Sequence, residues 1–260
     1  MSGKQEDVAH RPAQDGPSLG RPRLHLRRTD STNARAHALA LAGAPHGTLV
    51  TAEFQTAGRG RHGRSWSAPP RSSLLASVIV RSPPPLLALV AAVAVCDVAP
   101  EEAMIKWPND VVIARTATAA GHGAALAKLA GILIEGRPQE GWAVVGIGLN
   151  VAVSLDDLPP ELHATAATLD GSPQDVEPTL VRLLVALARR LAEPAEETLL
   201  AWRARDALLG REICWIPAAG ADQARGRAAG VDGAGRLIVT LEGGGRLALD
   251  AGEVHLLDDA

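Results

Sequence analysis

The chain has 260 residues, 47% of them hydrophobic, and a formal net charge of −3 at pH 7. That length and apolar content are enough for one sizeable domain and a small one. The mildly acidic balance argues against a general nucleic-acid binder, so any local cluster of arginine points to a small anion.

Cys96 and Cys214 stand among apolar neighbours without C-x-x-C or metal-ligand spacing and read as buried structural thiols of a reducing cytosol. No uninterrupted run of 18 apolar residues occurs, and the polar N-terminus with Pro and Gly is unlike a signal peptide. A soluble, cytoplasmic protein with no membrane partner is expected. Of the 26 basic side chains only Lys4, Lys106 and Lys128 are lysine, which marks Lys106 and Lys128 as candidate sites for a compact ammonium.

Residues 1–20 lack periodicity and read as a disordered tail. Arg23–Arg28 alternates as a short strand. Thr29-Asp30-Ser31-Thr32-Asn33 then precedes an Ala/Leu-rich helix that stops at Gly43, with Asp30 or Ser31 as the N-cap. Such a cluster serves as a cap, and its free N–H groups also suit a polar ligand.

Gly47–Phe54 and Leu74–Arg81 read as strands flanking Glu53–Trp66, EFQTAGRGRHGRSW. Here Gly58, Gly60 and Gly63 alternate with Arg59, Arg61 and Arg64. The glycines leave backbone N–H groups open to an anion, and the guanidinium forks suit phosphate or carboxylate. The run contains a literal G-x-G-x-x-G. However, Ser65-Trp66-Ser67-Ala68-Pro69-Pro70 cannot open the helix that a dinucleotide motif needs, and Val78–Pro85 holds no acid. No Walker loop occurs either. On composition alone, a solvated arginine-bearing surface loop is the competing reading.

Pro85 opens an apolar helix to about Ala99. In Lys106-Trp107-Pro108-Asn109-Asp110 the proline breaks a strand and presents Lys106, Asn109 and Asp110 at a turn, which taken alone is an ordinary Pro-Asn-Asp turn. A strand over Val111–Ala114 follows. Arg115–Ala127 is an Ala/Gly/Thr-rich stretch that reads as a flexible insertion in a hairpin. Lys128–Gly136 and Trp142–Val151 are apolar strands, with Lys128 at the entrance of the first, where a lysine is usually a solvated end. Pro178–Leu191 and Ala195–Asp206 have helical spacing, with Arg182, Arg189 and Arg190 on a solvated side. From Arg211 onward short β runs alternate with Gly-rich turns, which suggests a small barrel.

These motifs resemble the biotin protein ligase family over residues 22–257. The resemblance is carried by DSTN at Asp30–Asn33, QTAGRGRHGRSW at Gln55–Trp66, KWPND at Lys106–Asp110, KLAGIL at Lys128–Leu133 and GIGLN at Gly146–Asn150. Each is weak alone, and their shared order makes them specific. The resemblance implies an α+β fold: a mixed-sheet catalytic domain of the biotin/lipoate ligase type with helices packed on it, spanning 21–207, then an SH3-like β-barrel over 208–260. With no winged helix in front, it resembles the monofunctional type without a DNA-binding domain.

By position, the resemblance makes Ser31, Thr32, Asn33, Gln55, Arg59, Gly60, Arg61 and Lys128 biotin-binding. Arg61, Arg64, Trp66, Lys106, Asn109 and Asn150 would bind ATP or the adenylate, Asn109 and Asp110 would hold Mg2+, and Arg61, Lys128 and Asp110 would be catalytic. The family condenses biotin with MgATP to biotinyl-5′-AMP and pyrophosphate, then lets a lysine of the biotin carboxyl carrier protein or domain attack the mixed anhydride. Arg61, Lys128 and backbone N–H groups would offset the repulsion between the two anions, and no enzyme nucleophile is required.

The sequence departs from the family in the longer stretch before Lys128 and in the lack of an aromatic residue over Ala152–Thr168 for adenine to stack on. Lipoate or octanoate ligases and transferases share the fold and are the nearest rivals. A non-catalytic RG-loop nucleic-acid module is opposed by the net charge, the single Phe and the absence of Tyr.

Overall fold

The computed structural model describes residues 19–115, 125–217, 222–250 and 252–257. The first strands are β1 (Arg23–Leu26), β2 (Leu49–Ala52), β3 (Ser73–Arg81), β4 (Met104–Lys106), β5 (Asp110–Arg115), β6 (Ala125–Arg137) and β7 (Trp142–Asn150). They form one sheet in the order β1-β2-β3-β7-β6-β5-β4. β1 runs parallel to β2 and every other pairing is antiparallel, so the sheet is mixed as expected.

β3, SLLASVIVR, is buried along nearly its whole length because both faces of the sheet are covered. With the two-residue period of a strand, Leu74, Ala76, Val78 and Val80 enter the main core on one face. On the other face Ile79 packs with Val50 and Val144 against Ala36 and Ala40 of helix α1 (Thr32–Leu41). The opposite layer is α2 (Leu87–Cys96) and α3 (Val176–Ala192), followed by α4 (Ala195–Arg203). Nearly every residue of α2 is apolar and buried, as befits a helix enclosed between sheet and helices. α3 buries one stripe at helical spacing: Thr179, Leu180, Leu183, Ala186 and Leu187.

The remaining strands are β8 (Glu212–Trp215), β9 (Ala224–Val231), β10 (Leu237–Thr240), β11 (Arg246–Leu249) and β12 (Val254–Leu256). They form a second, antiparallel sheet, β11-β10-β9-β8-β12, in the place of the expected small barrel. Its inward residues, among them Ile213, Trp215, Leu237 and Val254, belong to the same contiguous core as α2. The two sheets are also joined near the KWPND turn. Trp107 is buried and its Nε1 donates to the Gly235 carbonyl at 3.0 Å. β4 is also tied to the segment between α4 and β8: Ile105 N–H bonds Arg205 O at 2.7 Å, and Ala207 N–H bonds Ile105 O at 3.0 Å.

Several expectations are corrected. Arg115 closes β5 and Ala125–Ala127 open β6, so those ends of the expected insertion are strand, held by pairing with each other; residues 116–124 lie outside the described residues. Lys128 therefore sits inside β6 and not at its entrance. The strands over Arg23–Arg28 and Gly47–Phe54 are shorter than their sequence patterns. Of the expected tail, residues 1–18 lie outside the described residues, while Gly20 N–H bonds Gly47 O at 2.8 Å.

Arg190 is not on a solvated side. Its side chain is 15% exposed and bonds both oxygens of Asp97, at 2.7 and 2.9 Å, which ties α3 to the end of α2. Cys96 and Cys214 are buried free thiols, as expected, and burial pushes the Cys96 thiol up to about 12. Among the described residues no helix is long and apolar enough to cross a membrane.

Candidate active site

The N-terminus of α1 supplies one wall of the site. Ser31 has an extended backbone and its Oγ accepts from Ala34 N–H, so it is the N-cap. Asp30 instead turns its carboxylate onto Ser31 N–H and the Thr29 hydroxyl, at 2.8 and 2.9 Å, and these bonds hold its pKa below the usual value. Thr32 donates its N–H to Gln55 Oε1 at 2.7 Å, which anchors the root of the arginine loop to the helix.

The loop is closed on itself by backbone bonds. Gly60 N–H meets Arg64 O at 2.7 Å and Trp66 N–H meets Gly58 O at 2.9 Å, leaving Arg61–Gly63 as the tip. The tip turns through His62 at φ 53° and Gly63 at φ 76°, the left-handed region that glycine adopts without strain.

The expected residues converge on one cavity of about 160 Å³. Ser31, Thr32, Asn33, Gln55, Arg59, Gly60, Arg61, Arg64, Trp66, Lys106, Asn109, Asp110 and Lys128 all line it. Asn150 does not. It is buried beside the cavity strands, accepts from Ser73 Oγ at 3.2 Å and donates to Ala167 O at 2.9 Å, so its amide is committed to holding β7 to its neighbours.

Three of the lining cations engage protein partners. Lys128 Nζ is 2.7 Å from Asp110 Oδ1 and lies 5.7 Å from the centroid of the Trp66 ring. Arg61 Nη1 donates to Asn109 Oδ1 at 3.3 Å. Partial burial lowers the Arg61 pKa, against the fields of Asp110 and Glu253 that raise it. Arg64 forms an ion pair with Glu253. Cations thus outnumber carboxylates along the walls, and each engaged cation can exchange its protein partner for a phosphate or carboxylate. Trp66 lies across Gly148: a Cβ there would stand 2.6 Å from Trp66 Cε2. The Trp66 Nε1 is buried and has no hydrogen-bond partner among the described residues.

Sequence reasoning missed two parts of this site. Gly131, Gly146 and Gly148 form a side-chain-free floor, and their signal was present, since glycine inside a strand marks close approach. Glu253, with Gly252 and Val254, comes from the second sheet. Nothing in the chain pointed to it, because 189 positions separate it from Arg64.

The model of the biotin/lipoate A/B protein ligase family matches residues 25–151. The chain is 36% identical over 246 residues to the biotin--[acetyl-CoA-carboxylase] ligase of Mycobacterium tuberculosis, covering 88% of this chain and 86% of that protein. It is 36% identical over 255 residues to the protein of the same name from Paracoccus denitrificans, covering 88% and 98%. Among solved structures, the biotin protein ligase from Aquifex aeolicus in complex with biotin and ATP aligns with a TM-score of 0.72 at 25% identity, over 91% of this chain and 99% of that one. The chain belongs to the biotin/lipoate A/B protein ligase family. It is an enzyme of the ligase class.

Proposed function

We propose that the protein is a biotin–protein ligase, which activates biotin as biotinyl-5′-AMP and transfers it to a lysine of a biotin carboxyl carrier protein or domain in the cytoplasm. The observation that carries this reading is the convergence of the Ser31-Thr32-Asn33 turn, Gln55 and the arginine loop, the KWPND turn and Lys128 on one cavity. The turn and the glycine floor offer a polar end and a flat surface for a fused bicyclic ring. The cations lie where a carboxylate and a triphosphate must be brought together.

In the first step the biotin carboxylate oxygen attacks the α-phosphorus of ATP, a phosphoanhydride bond breaks, and pyrophosphate leaves. Lys128 and Arg61 offset the repulsion between the two anions and stabilise the charge developing at phosphorus, and binding supplies proximity. In the second step a carrier lysine amine attacks the acyl carbon of the adenylate and AMP leaves, with one proton lost from the amine. Asp110 accepts or orients that proton, since its carboxylate already holds an ammonium at hydrogen-bond distance.

Magnesium binds with one or two carboxylates and takes its other ligands from phosphates and water. The adjacent Asn109 Oδ1 and Asp110 carboxylate fit that donor set. Their cationic partners Arg61 and Lys128 would move to the phosphates when nucleotide and metal enter. The ion would neutralise phosphate charge.

The test is to incubate the protein with MgATP, biotin and an apo carrier domain and to examine the carrier by mass spectrometry. One added biotin is the expected result. Exchange of labelled pyrophosphate into ATP that depends on lipoate and not on biotin would reject the reading.

A further inference from the structure

Five side chains form a hydrogen-bonded line from the sheet to the root of the arginine loop, and its polarity is set from one end. Glu135, on β6, offers only acceptors as a carboxylate. The Asn33 amide therefore presents Nδ2 to Glu135 Oε2 at 2.8 Å, and to the Leu133 carbonyl at 3.3 Å. That leaves Asn33 Oδ1 facing Ser77, whose hydroxyl donates to it at 2.6 Å. The Ser77 and Thr32 hydroxyls lie 2.9 Å apart. With the one proton of Ser77 committed to Asn33, the Thr32 hydroxyl has two acceptors in reach, Ser77 Oγ at 2.9 Å and Gln55 Oε1 at 3.1 Å. Gln55 Oε1 is held by Thr32 N–H, so the Gln55 NH2 remains for the cavity.

The line is built in and not incidental. Ser77 is 0% exposed and Asn33 is 4% exposed, so a lost partner there cannot be replaced by bulk water. Gly146 makes room for it: a Cβ at that position would collide with the Asn33 amide. Neither Ser77 nor Glu135 lines the ligand cavity.

We infer that Ser77 and Glu135 are positioning residues for substrate recognition. Through Asn33 they hold the Thr32 hydroxyl in place beside Gln55 Oε1, and so shape the donor and acceptor pattern offered to a cyclic urea. They do this without touching the ligand. The inference rests on the proposed biotin site and deepens it.

The test uses biotin-dependent exchange of pyrophosphate into ATP, with thermal midpoints recorded in parallel. Glu135→Met removes the terminal acceptor and is expected to raise the KM for biotin about tenfold, while the KM for ATP and kcat at saturating biotin stay within twofold. Glu135→Gln keeps an acceptor oxygen and is expected to recover most of the loss. Ser77→Ala is expected to match Glu135→Met; if it does not fold, the Glu135 pair decides alone. An unchanged biotin KM in Glu135→Met, equal behaviour of the Met and Gln variants, or a parallel rise of both KM values overturns the inference. Absence of biotin-dependent exchange in the wild type overturns the functional reading itself, and the inference with it.

Discussion

Lys128 Nζ lies 2.7 Å from Asp110 Oδ1, and a β-bulge puts it there. Val111 faces Ala130 while Val112 faces Lys128, so Leu129 is an extra residue in β6. Without it Lys128 would share the core-facing side of Ala130 and Ile132. The extra residue turns Lys128 onto the cavity side with Gly131 and Leu133.

Removing the two partners of this pair should have different effects. Lys128→Ala is expected to slow adenylate formation by about 10²-fold or more, because a donor to the developing charge is lost. Asp110→Ala should slow pyrophosphate exchange, since a proposed magnesium ligand is lost, and should reduce transfer to the carrier by a clearly larger factor. Equal loss of both steps in Asp110→Ala would reject its role in transfer. Both side chains are partly exposed, so either change should cost only about 1 kcal/mol of stability or less.

Arg61 reaches across the cavity to Asn109, and so spans the space between the loop and the KWPND turn. Arg61→Ala should let the intermediate escape, giving free biotinyl-AMP in a reaction without carrier, measurable by chromatography of the filtrate. Retention equal to that of the wild type would show that Arg61 does not hold the intermediate.

At Gly148 the Trp66 ring passes so close that a methyl group forces it away. Gly148→Ala should destabilise the fold by about 1–3 kcal/mol through overpacking. Biotin affinity should fall with it, as read by calorimetric titration. Gly233→Ala meets nothing within 4 Å, and serves as the control with unchanged affinity.

Arg190→Ala tests the α2–α3 contact and should cost about 2 kcal/mol, since it removes charged hydrogen bonds to Asp97. Burial alone would raise the Asp97 pKa, but the bonds and fields of Arg190 and Arg189 outweigh it and hold the value below 3.8. A carboxylate whose folded pKa is depressed stabilises fully above its unfolded pKa. It loses that contribution as pH falls through the folded value. The wild-type thermal midpoint should therefore drop on acidification below about pH 4. Arg190→Ala should show a shallower drop over the same range.

The sequence by itself determined which strands could exist and which residues could do chemistry. Alternation and apolar runs located β3, β6 and β7, because a strand between two covered faces must be apolar throughout. Residue type alone left the arginine loop, the Ser31 turn and Lys128 with ordinary readings as surface loop, helix cap and strand end, and the shared order of the motifs made them candidates. Only the tertiary structure decided which of them meet. Asn150 was spent on Ser73 and Ala167 because a buried amide must satisfy its bonds wherever the neighbouring chain provides them. Glu253 reached Arg64 from the second sheet, and one bulge residue chose the face of Lys128. These are consequences of register and long-range packing, which no local pattern encodes.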